Sequence, residues 1–448
     1  MDIKELYKLY QEHPCITTDS RDCPKGSIFL ALKGASFNGN QFALQALEKG
    51  CAYAIVDERE VYEDAKNSRL ILVNDCLQTF KDLAREHRRQ FNIPVIGITG
   101  TNGKTTTKEL IAAVLSQKYN VLYTQGNFNN DVGVPKTLFR LTNEHEIAVI
   151  EMGASHPGDI KTLVETVEPT CGLITNVGRA HLQGFGSFEG VVNTKCELYD
   201  FLRSRKDSLI FINADNEHLM ERIGDNDDLW LSPYSTQPEN RYTCISGEVI
   251  SCDPFLKFRW REPQYVLEQE GRSNKWHKVQ TQLIGAYNID NLLAAIAVGI
   301  NFGVDRKKIC EALENYAPSN NRSQMTVTQH NHLIVDAYNA NPTSMQAALE
   351  NFQLIQADRK MAILGKMGEL GDVWKEEHQK VVNFLRKAQF YDVWLVGDEY
   401  FELADCPFRR FHDVEDVKEA IGKQQPQGFY ILIKGSNSNK LFELPELL

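Results

Sequence analysis

The residues best suited to chemistry lie in one stretch, residues 94–108, with the sequence PVIGITGTNGKTTTK. Residues 94–98 are apolar or small and predict a short buried strand, and the pattern from Lys108 onward predicts a helix. A glycine turn between a strand and a helix directs backbone N–H groups and the positive end of the helix dipole at one point. Such a turn binds anions, so the sequence predicts a nucleotide phosphate site here.

The side chains within that turn suit the two functions of a phosphate loop, which are to contact phosphate and to bind Mg²⁺. Lys104 would contact the outer phosphates, and the Thr105 hydroxyl would hold Mg²⁺. Two residues separate Gly100 from Gly103, so the turn is shorter than the general phosphate-loop pattern. An ordinary strand-to-helix turn is the alternative, and the flanking strand and helix disfavour it.

Two further polar side chains follow predicted strands. Glu151 ends the apolar run at residues 147–150, and a carboxylate beside a phosphate loop completes the coordination of Mg²⁺ in such sites. His181 comes shortly after the run at residues 171–174, where an imidazole can bind a metal or touch phosphate. Ligands bind at this edge of parallel α/β sheets. A solvated glutamate and a structural histidine are the alternatives.

A lysine within a predicted helix offers a less common kind of chemistry. Lys195 lies in residues 188–202, among mostly apolar or small neighbours and close to Glu197. Such a lysine is ordinarily a surface residue whose ammonium reaches the solvent. If burial lowers its pKa, however, the neutral amine can react with CO₂. The resulting carbamate would present two oxygens and could act as a metal ligand.

Polar and glycine residues also separate the apolar runs near the N-terminus. Residues 27–32, 52–56 and 70–73 predict strands, and the clusters DSR, LKG and FNGN lie between or before them. Together these clusters supply a hydroxyl, a guanidinium, an ammonium and backbone donors near an aromatic ring. That set suits a nucleotide-sugar diphosphate and a stacked base. Plain turns at the ends of strands remain an equal alternative.

The last third of the chain alternates strands with helices, which implies a doubly wound, largely parallel α/β sheet. Asn288 enters an Ala- and Ile-rich helix, which it could cap, or it could contact the edge of an adenine. Arg322 and Asp336 could be surface groups, but we prefer a closing contact with the nucleotide. Residues 225–282 predict a peripheral antiparallel sheet and carry no usable motif.

Size and composition set limits on the whole chain. With 448 residues the chain is too long for one core, and two to four domains are expected. A net charge of −11 argues against a nucleic-acid-binding surface. No apolar run is long enough to span a membrane. Ten scattered cysteines without a CxxC pair, and the absence of a signal-peptide pattern, favour the cytoplasm.

Taken together, the motifs resemble those of the Mur ligases, the ATP-dependent amide-bond-forming family of bacterial peptidoglycan synthesis. The resemblance covers essentially the whole chain. The motifs that carry it are GTNGKTTTK, GNFNNDVGVPKTL, EMGASHPGDI, TNVGRAHLQGFGS, KCELYDFL, NNRSQ and DAYNANPTSM. The short phosphate loop is the form that this family uses. The chain departs from the common pattern at Tyr287, at Lys366 and in KGSNSNKLF near the C-terminus.

The resemblance implies a three-domain α/β architecture. It comprises a small N-terminal domain for a UDP-sugar at residues 1–82 and a central P-loop ATPase-type parallel-sheet domain at residues 83–314. A C-terminal Rossmann-like domain at residues 315–448 would close on ATP and the acceptor. A predicted charged helix at residues 77–91 would link the first two domains. We expect a monomer.

The resemblance also implies roles for individual residues. Those assigned to ATP are Gly100, Thr101, Asn102, Gly103, Lys104, Thr105, Thr106, Asn288, Arg322 and Asp336. Those assigned to Mg²⁺ are Thr105, Glu151, His181 and Lys195, with carbamoylated Lys195 helping to hold the second of two ions. Lys104, Lys195, His181 and Glu151 form the expected catalytic set. Those assigned to substrates are Ser20, Arg21, Lys33, Asn38, Asn127, Asn129, Asn130, Asn339 and Asn341.

Within the family, GNFNNDVGVPKTL and DAYNANPTSM resemble the member that adds D-alanyl-D-alanine to UDP-MurNAc-tripeptide. The implied reaction is an ATP-dependent carbon–nitrogen ligation through an acyl phosphate, and it needs no nucleophilic side chain. The alternative enzyme is a related Mur or folylpolyglutamate-type ligase with another amino-acid acceptor. A nucleotide-binding regulator that hydrolyses ATP on docking a protein is the alternative from a different class.

Overall fold

The computed structural model describes residues 1–224, 229–237, 239–240, 243–263, 275–318 and 322–448. Three separate parallel-rich sheets follow one another along the chain, and each has its own hydrophobic core. The predicted α/β class is therefore confirmed. Among the described residues, none of the helices combines the length and apolarity that crossing a bilayer requires.

The N-terminal unit is a four-stranded parallel sheet in the order β1-β2-β5-β6, with a small hairpin, β3-β4, beside it. Its strands are β1 (Ile16–Thr17), β2 (Ile28–Leu30), β3 (Lys33–Gly34), β4 (Phe37–Asn38), β5 (Tyr53–Val56) and β6 (Leu70–Leu72). Its helices are α1 (Ile3–Glu12), α2 (Ala43–Glu48), α3 (Arg59–Ala65) and α4 (Cys76–Arg89). The capping box of Asp2 and Glu5 starts α1.

The central unit is a nine-stranded sheet in the order β15-β14-β13-β12-β11-β10-β7-β9-β8. Its strands are β7 (Val95–Thr99), β8 (Val121–Tyr123), β9 (Ile147–Glu151), β10 (Cys171–Ile174), β11 (Leu209–Asn213), β12 (Trp230–Ser235), β13 (Ile245–Cys252), β14 (Phe255–Arg261) and β15 (His277–Ile284). Its helices are α5 (Lys104–Leu115), α6 (Gly133–Leu138), α7 (Asp159–Val167), α8 (Leu182–Phe185), α9 (Phe188–Arg203), α10 (Glu217–Ile223), α11 (Ile289–Asn301) and α12 (Arg306–Asn315).

Strands β7, β9 and β10 are wholly buried because helices cover both faces of the sheet. This burial explains their continuous apolar sequences. The prediction of a peripheral antiparallel sheet over residues 225–282 needs correction. β12 and the start of β13 continue the parallel sheet, and β13, β14 and β15 alone are antiparallel. The part of that prediction at 225–228, 238, 241–242 and 264–274 lies outside the described residues.

The C-terminal unit is a six-stranded sheet in the order β16-β17-β21-β18-β19-β20, parallel except for β16. Its strands are β16 (Gln324–Val327), β17 (His332–Asp336), β18 (Lys360–Gly365), β19 (Asp392–Val396), β20 (Arg409–Phe411) and β21 (Tyr430–Lys434). Its helices are α13 (Pro342–Leu354), α14 (Trp374–Ala388) and α15 (Val414–Lys423). The predicted doubly wound, largely parallel sheet is therefore present.

Candidate active site

A cavity of about 700 Å³ lies between the central and C-terminal units. The neighbouring parallel strands β10, β7 and β9 end at it, so the residues that follow them meet at one edge of the sheet. The predicted residues that line this cavity are Thr101, Asn102, Gly103, Lys104, Thr105, Thr106, Asn127, Asn129, Asn130, Glu151, His181, Asn288, Arg322, Asp336 and Asn339. Much of the predicted site is therefore brought together.

The loop after β7 has the backbone of a tight anion-binding turn. Gly100 has a φ of 142°, and a Cβ there would lie 2.0 Å from Oγ1 of Thr175, so the close approach demands glycine. Asn176, which follows β10, fixes the loop from one side. Its carbonyl accepts from the N–H of Thr101 at 2.9 Å, and its side-chain oxygen accepts from the N–H of Asn102 at 3.0 Å.

Lys104 lies over this loop at the start of α5. Its ammonium donates to the carbonyls of Gly100 and Thr101 at 2.8 and 2.9 Å. Burial lowers the pKa of Lys104 to about 8, with Glu151 opposing the shift and Arg322 adding to it. An anion next to the buried ammonium would relieve this desolvation. The position and charge of Lys104 therefore suit a phosphate oxygen.

Glu151 ends β9 and is buried rather than solvated, so the alternative of an exposed strand-end glutamate is wrong. Its Oε1 accepts from the hydroxyl of Thr105 at 3.1 Å and from the side-chain amide of Asn129 at 2.8 Å. Among the described residues, no group donates a hydrogen bond to its Oε2. A hydroxyl and a buried carboxylate are hard oxygen donors, so the site fits Mg²⁺.

His181 has a left-handed backbone, with a φ of 50°, just before α8. Its Nδ1 lies against the carboxylate of Glu369, which belongs to the C-terminal unit. Burial lowers the pKa of His181; Glu369 opposes that shift, and Lys104 and Lys195 reinforce it. His181 therefore lines the cavity and also contacts the opposite unit, which sequence reasoning did not anticipate.

Lys195 is buried in α9, with 2% of its surface exposed, so the alternative of a surface lysine is wrong. Its ammonium donates to the carbonyl of Ala154 at 3.3 Å and lies 5.3 Å from the ring centre of Phe185. Burial, and then the charge of Lys104, hold the pKa of Lys195 well below its usual range. Lys195 does not line the cavity itself but lies directly behind Ala154, which does.

The metal assignment has partial geometric support. Within the described ranges, no three or more His, Cys, Asp or Glu side chains cluster as a metal site. The oxygens of Thr105 and Glu151 are placed for one ion, and nucleotide phosphates would complete its coordination. A second ion held by a carbamate on Lys195 stays a prediction.

The cavity lining also includes Asn288, which donates to the carbonyl of Ile284 at 2.8 Å and accepts from Asn291 at 2.9 Å. Asn288 stands at the start of α11, but its side chain makes no capping bond, so the capping alternative is wrong. The adenine contact stays a prediction. The hydroxyls of Tyr287 and Ser323 lie 2.9 Å apart and join the central and C-terminal units there.

Arg322 and Asp336 both line the cavity, so the alternative of open surface groups is wrong. The guanidinium of Arg322 lies 4.0 Å from the ring centre of Tyr338. Asp336 accepts from the buried ammonium of Lys434 at 2.6 Å. Asn320 and Asn321, which begin the NNRSQ motif, lie outside the described residues.

Several of the asparagines predicted to bind substrate make contacts within the protein itself. Asn130 accepts from the N–H of Gly133 at 2.8 Å and so shapes the start of α6. Asn341 is outside the cavity lining, but its side-chain amide donates to Asn102 at 2.8 Å across the two units. The carbonyl of Asn339 accepts from Lys434 at 3.2 Å. A bare asparagine in a motif therefore does not by itself indicate a ligand contact.

Ser20, Arg21, Lys33 and Asn38 lie on the N-terminal unit and not in the cavity. Lys33 pairs with Asp57 at 2.9 Å and with Glu58 at 3.2 Å, and Asn38 donates to Glu58 at 2.9 Å. The exposed Arg21 pairs with Asp19, and the carbonyl of Ser20 accepts from Lys49 at 2.6 Å. Their role in binding a UDP-sugar stays a prediction.

Sequence reasoning missed several residues at the site. Lys434 ends β21 and Asn176 comes two residues after β10, so the strand-end signal used for Glu151 could have found them. Asn291 lies inside α11, and its side-chain oxygen accepts from Thr107 at 3.0 Å, for which no local signal exists. Glu369 contacts His181, and Tyr338 lines the cavity, only because the central and C-terminal units lie against each other.

Models of known protein families match all three units of the chain. A model described as Mur ligase family, catalytic domain, matches residues 14–88, the Mur ligase middle domain matches residues 98–299, and the Mur ligase glutamate ligase domain matches residues 321–437. The chain belongs to the Mur ligase family. The predicted resemblance is confirmed.

Three relatives of this Mur ligase carry the same name, UDP-N-acetylmuramoyl-tripeptide–D-alanyl-D-alanine ligase. The Synechocystis protein is 36% identical, over 94% of this chain and 89% of its own. The Escherichia coli protein is 33% identical, over 97% and 93%. The Bacillus subtilis protein is 31% identical, over 96% and 92%.

Solved structures agree in fold. The crystal structure of MurF from Acinetobacter baumannii has a TM-score of 0.84 at 28% identity, covering 98% of this chain and 96% of its own. The MurF ligase of Thermotoga maritima, solved in complex with ADP, has a TM-score of 0.83 at 24% identity, covering 97% and 96%. The latter similarity concerns the fold alone.

Proposed function

We propose that this Mur ligase joins D-alanyl-D-alanine to UDP-N-acetylmuramoyl-tripeptide and converts ATP to ADP and phosphate. The observation that carries the proposal is the convergence of Lys104, Glu151 and Arg322 on one cavity between two units. The names of the three relatives support this choice of substrates. The sequence motifs that resemble the D-alanyl-D-alanine-adding member agree with it.

The reaction proceeds through an acyl phosphate. The terminal carboxylate of the tripeptide attacks the γ-phosphorus of ATP, and ADP leaves. The amine of D-alanyl-D-alanine then attacks the acyl carbon, phosphate leaves, and the amine gives up a proton as the amide forms. This route uses no nucleophilic side chain, so the residues of the site act by binding, orientation and charge.

Specific residues supply those effects. Lys104 and Arg322 place positive charge where negative charge spreads over the transferred phosphoryl group. Thr105 and Glu151 would hold Mg²⁺, which neutralises phosphate charge when it is bound. His181, and Lys195 as a carbamate, would hold a second Mg²⁺. Asn288 would contact adenine, and Asp336 the ribose.

We assign residues 1–82 to the UDP-sugar, 83–314 to ATP and 315–448 to closure over ATP and the acceptor. Ser20, Arg21, Lys33 and Asn38 would contact the UDP-sugar, and the asparagines at 127, 129, 130, 339 and 341 the peptide or dipeptide. Closure excludes water, which would otherwise hydrolyse the acyl phosphate. We place the reaction in the cytoplasm, where ATP is available, and propose that a monomer suffices.

The test is ATP-dependent phosphate release with UDP-MurNAc-tripeptide, in the presence and absence of D-alanyl-D-alanine, followed by mass analysis of the product. Release that requires both substrates, with a product heavier by one dipeptide, supports the proposal. Release that responds to a single amino acid instead would move the chain to another acceptor within the family. Release that responds only to a protein partner would support a regulator.

A further inference from the structure

A second lysine of α5, Lys108, is buried without a role in the reaction proposed above. Its side chain is 1% exposed. Its ammonium lies 3.4 Å from Oε1 of Glu109 and 3.9 Å from Oε2 of Glu151, and 5.8 Å from the ring centre of Tyr123. Lys108 therefore lies between two carboxylates, one of which ends β9 at the candidate metal site.

The two oxygens of Glu151 have different surroundings. Oε1 accepts from Thr105 and Asn129, both of which line the cavity. In the part of the chain that the structure describes, Oε2 accepts no hydrogen bond and faces the ammonium of Lys108. The rotation of this carboxylate is thus set by polar hydrogen bonds on one side and by a buried positive charge on the other.

Lys108 is itself anchored from behind. The other oxygen of Glu109, Oε2, accepts from the hydroxyl of Tyr316 at 2.6 Å. Burial raises the pKa of Tyr316, and the charge of Glu109 adds to that effect, so the hydroxyl stays a donor. Tyr316 directly follows α12, close to the point where the chain enters the C-terminal unit. A continuous chain of polar contacts therefore runs from Tyr316 to Glu151.

A purely structural purpose would not require this arrangement. Burying an ammonium is costly, and apolar side chains of similar volume stabilise a core at least as well as a buried ion pair does. The spacing of Lys104 and Lys108 places both on one face of α5. One ammonium lies over the phosphate loop, and the other lies behind the carboxylate.

We propose that Lys108 is a positioning residue, whose ammonium holds Oε2 of Glu151 so that Oε1 faces Thr105 and the cavity. It acts through Glu151 and touches neither nucleotide nor substrate. The inference rests on the proposed function, because Glu151 matters in this way only if a divalent cation binds beside the nucleotide.

The test replaces Lys108 by an uncharged side chain of similar length, Lys108→Met. Mn²⁺ binding to the complex with ADP is measured by electron paramagnetic resonance, and ADP binding without metal is measured by calorimetry. We expect a ten- to hundredfold weaker affinity for Mn²⁺, the range found when a partner of a metal ligand is removed, with ADP affinity in EDTA unchanged within about twofold. In turnover, the Mg²⁺ concentration for half-maximal rate should rise while the KM for ATP stays constant.

Two further variants separate positioning from packing. Val114→Ala removes buried volume from the same helix without touching Glu151, and it should leave Mn²⁺ affinity unchanged. Tyr316→Phe releases Glu109 from behind and should weaken Mn²⁺ binding about two- to fivefold; it carries the test if Lys108→Met does not fold. Unchanged or tighter Mn²⁺ binding in Lys108→Met, or in Tyr316→Phe if Lys108→Met does not fold, overturns the inference. A loss of Mn²⁺ affinity in Val114→Ala equal to that in the tested variant also overturns it.

The binding readout keeps this inference separate from the proposed function. If the wild-type protein binds Mn²⁺ and ADP but makes no dipeptide product, the proposed function fails while the role of Lys108 is still measured. If ligation occurs and Lys108→Met binds Mn²⁺ normally, the function stands and the role of Lys108 fails.

Discussion

The two junctions between the three units are built from different kinds of contact. The first junction, between the N-terminal and central units, packs Tyr10, Phe80 and His87 around Phe139, with ring centres 5.0, 5.5 and 5.7 Å from it. The hydroxyl of Tyr7 lies 3.0 Å from Nδ1 of His87. The first junction is therefore an extension of the hydrophobic core.

The second junction, between the central and C-terminal units, is largely polar around the cavity, while Ile284 and Phe255 of the central unit add apolar contacts away from it. Asn102 pairs with Asn341, Tyr287 with Ser323, His181 with Glu369, and Arg179 with Glu377. Water can replace such contacts at small cost, whereas separating packed aromatic rings exposes apolar surface. We infer that the first junction holds its units together and that the second is the one able to open for substrates.

The largest effect is expected within the second junction, at Lys104. Lys104→Met should lower kcat for phosphate release about a hundred- to thousandfold, because it removes charge aimed at the transferred phosphoryl group. The melting temperature should stay within a few degrees, since the ammonium is already desolvated at a cost. Lys118, an exposed residue just beyond the C-terminal end of α5, provides the control: Lys118→Met should leave the rate unchanged.

The first junction should respond in the opposite way. Phe139→Ala removes the ring that three others contact, and we expect a loss of about 3 kcal/mol in the free energy of unfolding, at the low end for buried phenylalanine because Phe139 is partly exposed. Thermal melting measures the loss, and kcat at a permissive temperature should change little. Phe42→Ala, at an exposed ring of the N-terminal unit, should cost far less. A large fall in kcat of Phe139→Ala without a loss of stability would contradict the view that the first junction serves stability and the second serves catalysis.

A smaller, pH-dependent effect should also arise at the first junction. Burial lowers the pKa of His87, while its contact with the carbonyl of Leu141 opposes the shift. Because the folded-state pKa lies below the unfolded value, the stabilisation is present above about pH 6.5 and is lost as pH falls through the folded-state pKa. His87→Gln should therefore reduce the loss of melting temperature between pH 7.5 and pH 5. An equal loss in both proteins would mean that the first junction does not titrate.

The sequence predicted the site well where its parts are local. The phosphate loop follows the buried strand β7, and Glu151 ends the buried strand β9, so an apolar run with a polar residue at its end was enough to locate both. Contacts between distant segments left no such signal. Asn102 and Asn341 meet only because two sheets present their carboxyl edges to each other, and Asp336 meets Lys434 only because the distant strands β17 and β21 pair in register.

Local propensity also gives little signal for a short helix of the central unit. α6 contains Gly133 and Pro135, which weaken any helix pattern in six residues. It forms because Val134 and Leu138 are buried against the central sheet, which is a tertiary effect. The same effect explains Asn288, whose position suggests a cap but whose side chain is occupied by Ile284 and Asn291.

The smallest effect concerns the opening of the second junction itself. Arg179, which is half-exposed, pairs with Glu377 at 3.3 Å across the units; because Lys380 also contacts that carboxylate at 2.9 Å, losing the solvent-screened Arg179 should cost at most about 1 kcal/mol. Arg179→Ala should shift the ratio of open to closed molecules by about fivefold at most, which small-angle scattering without ligands would register as a modest rise in the radius of gyration. ATP with Mg²⁺ should reduce that rise, because ligands that bridge the units favour closure. Arg386→Ala, which breaks an ion pair within the C-terminal unit, is the matched control and should leave the scattering curve unchanged. If the wild-type curve is identical with and without ATP, the second junction is as rigid as the first, and the polarity of its contacts reflects ligand binding alone.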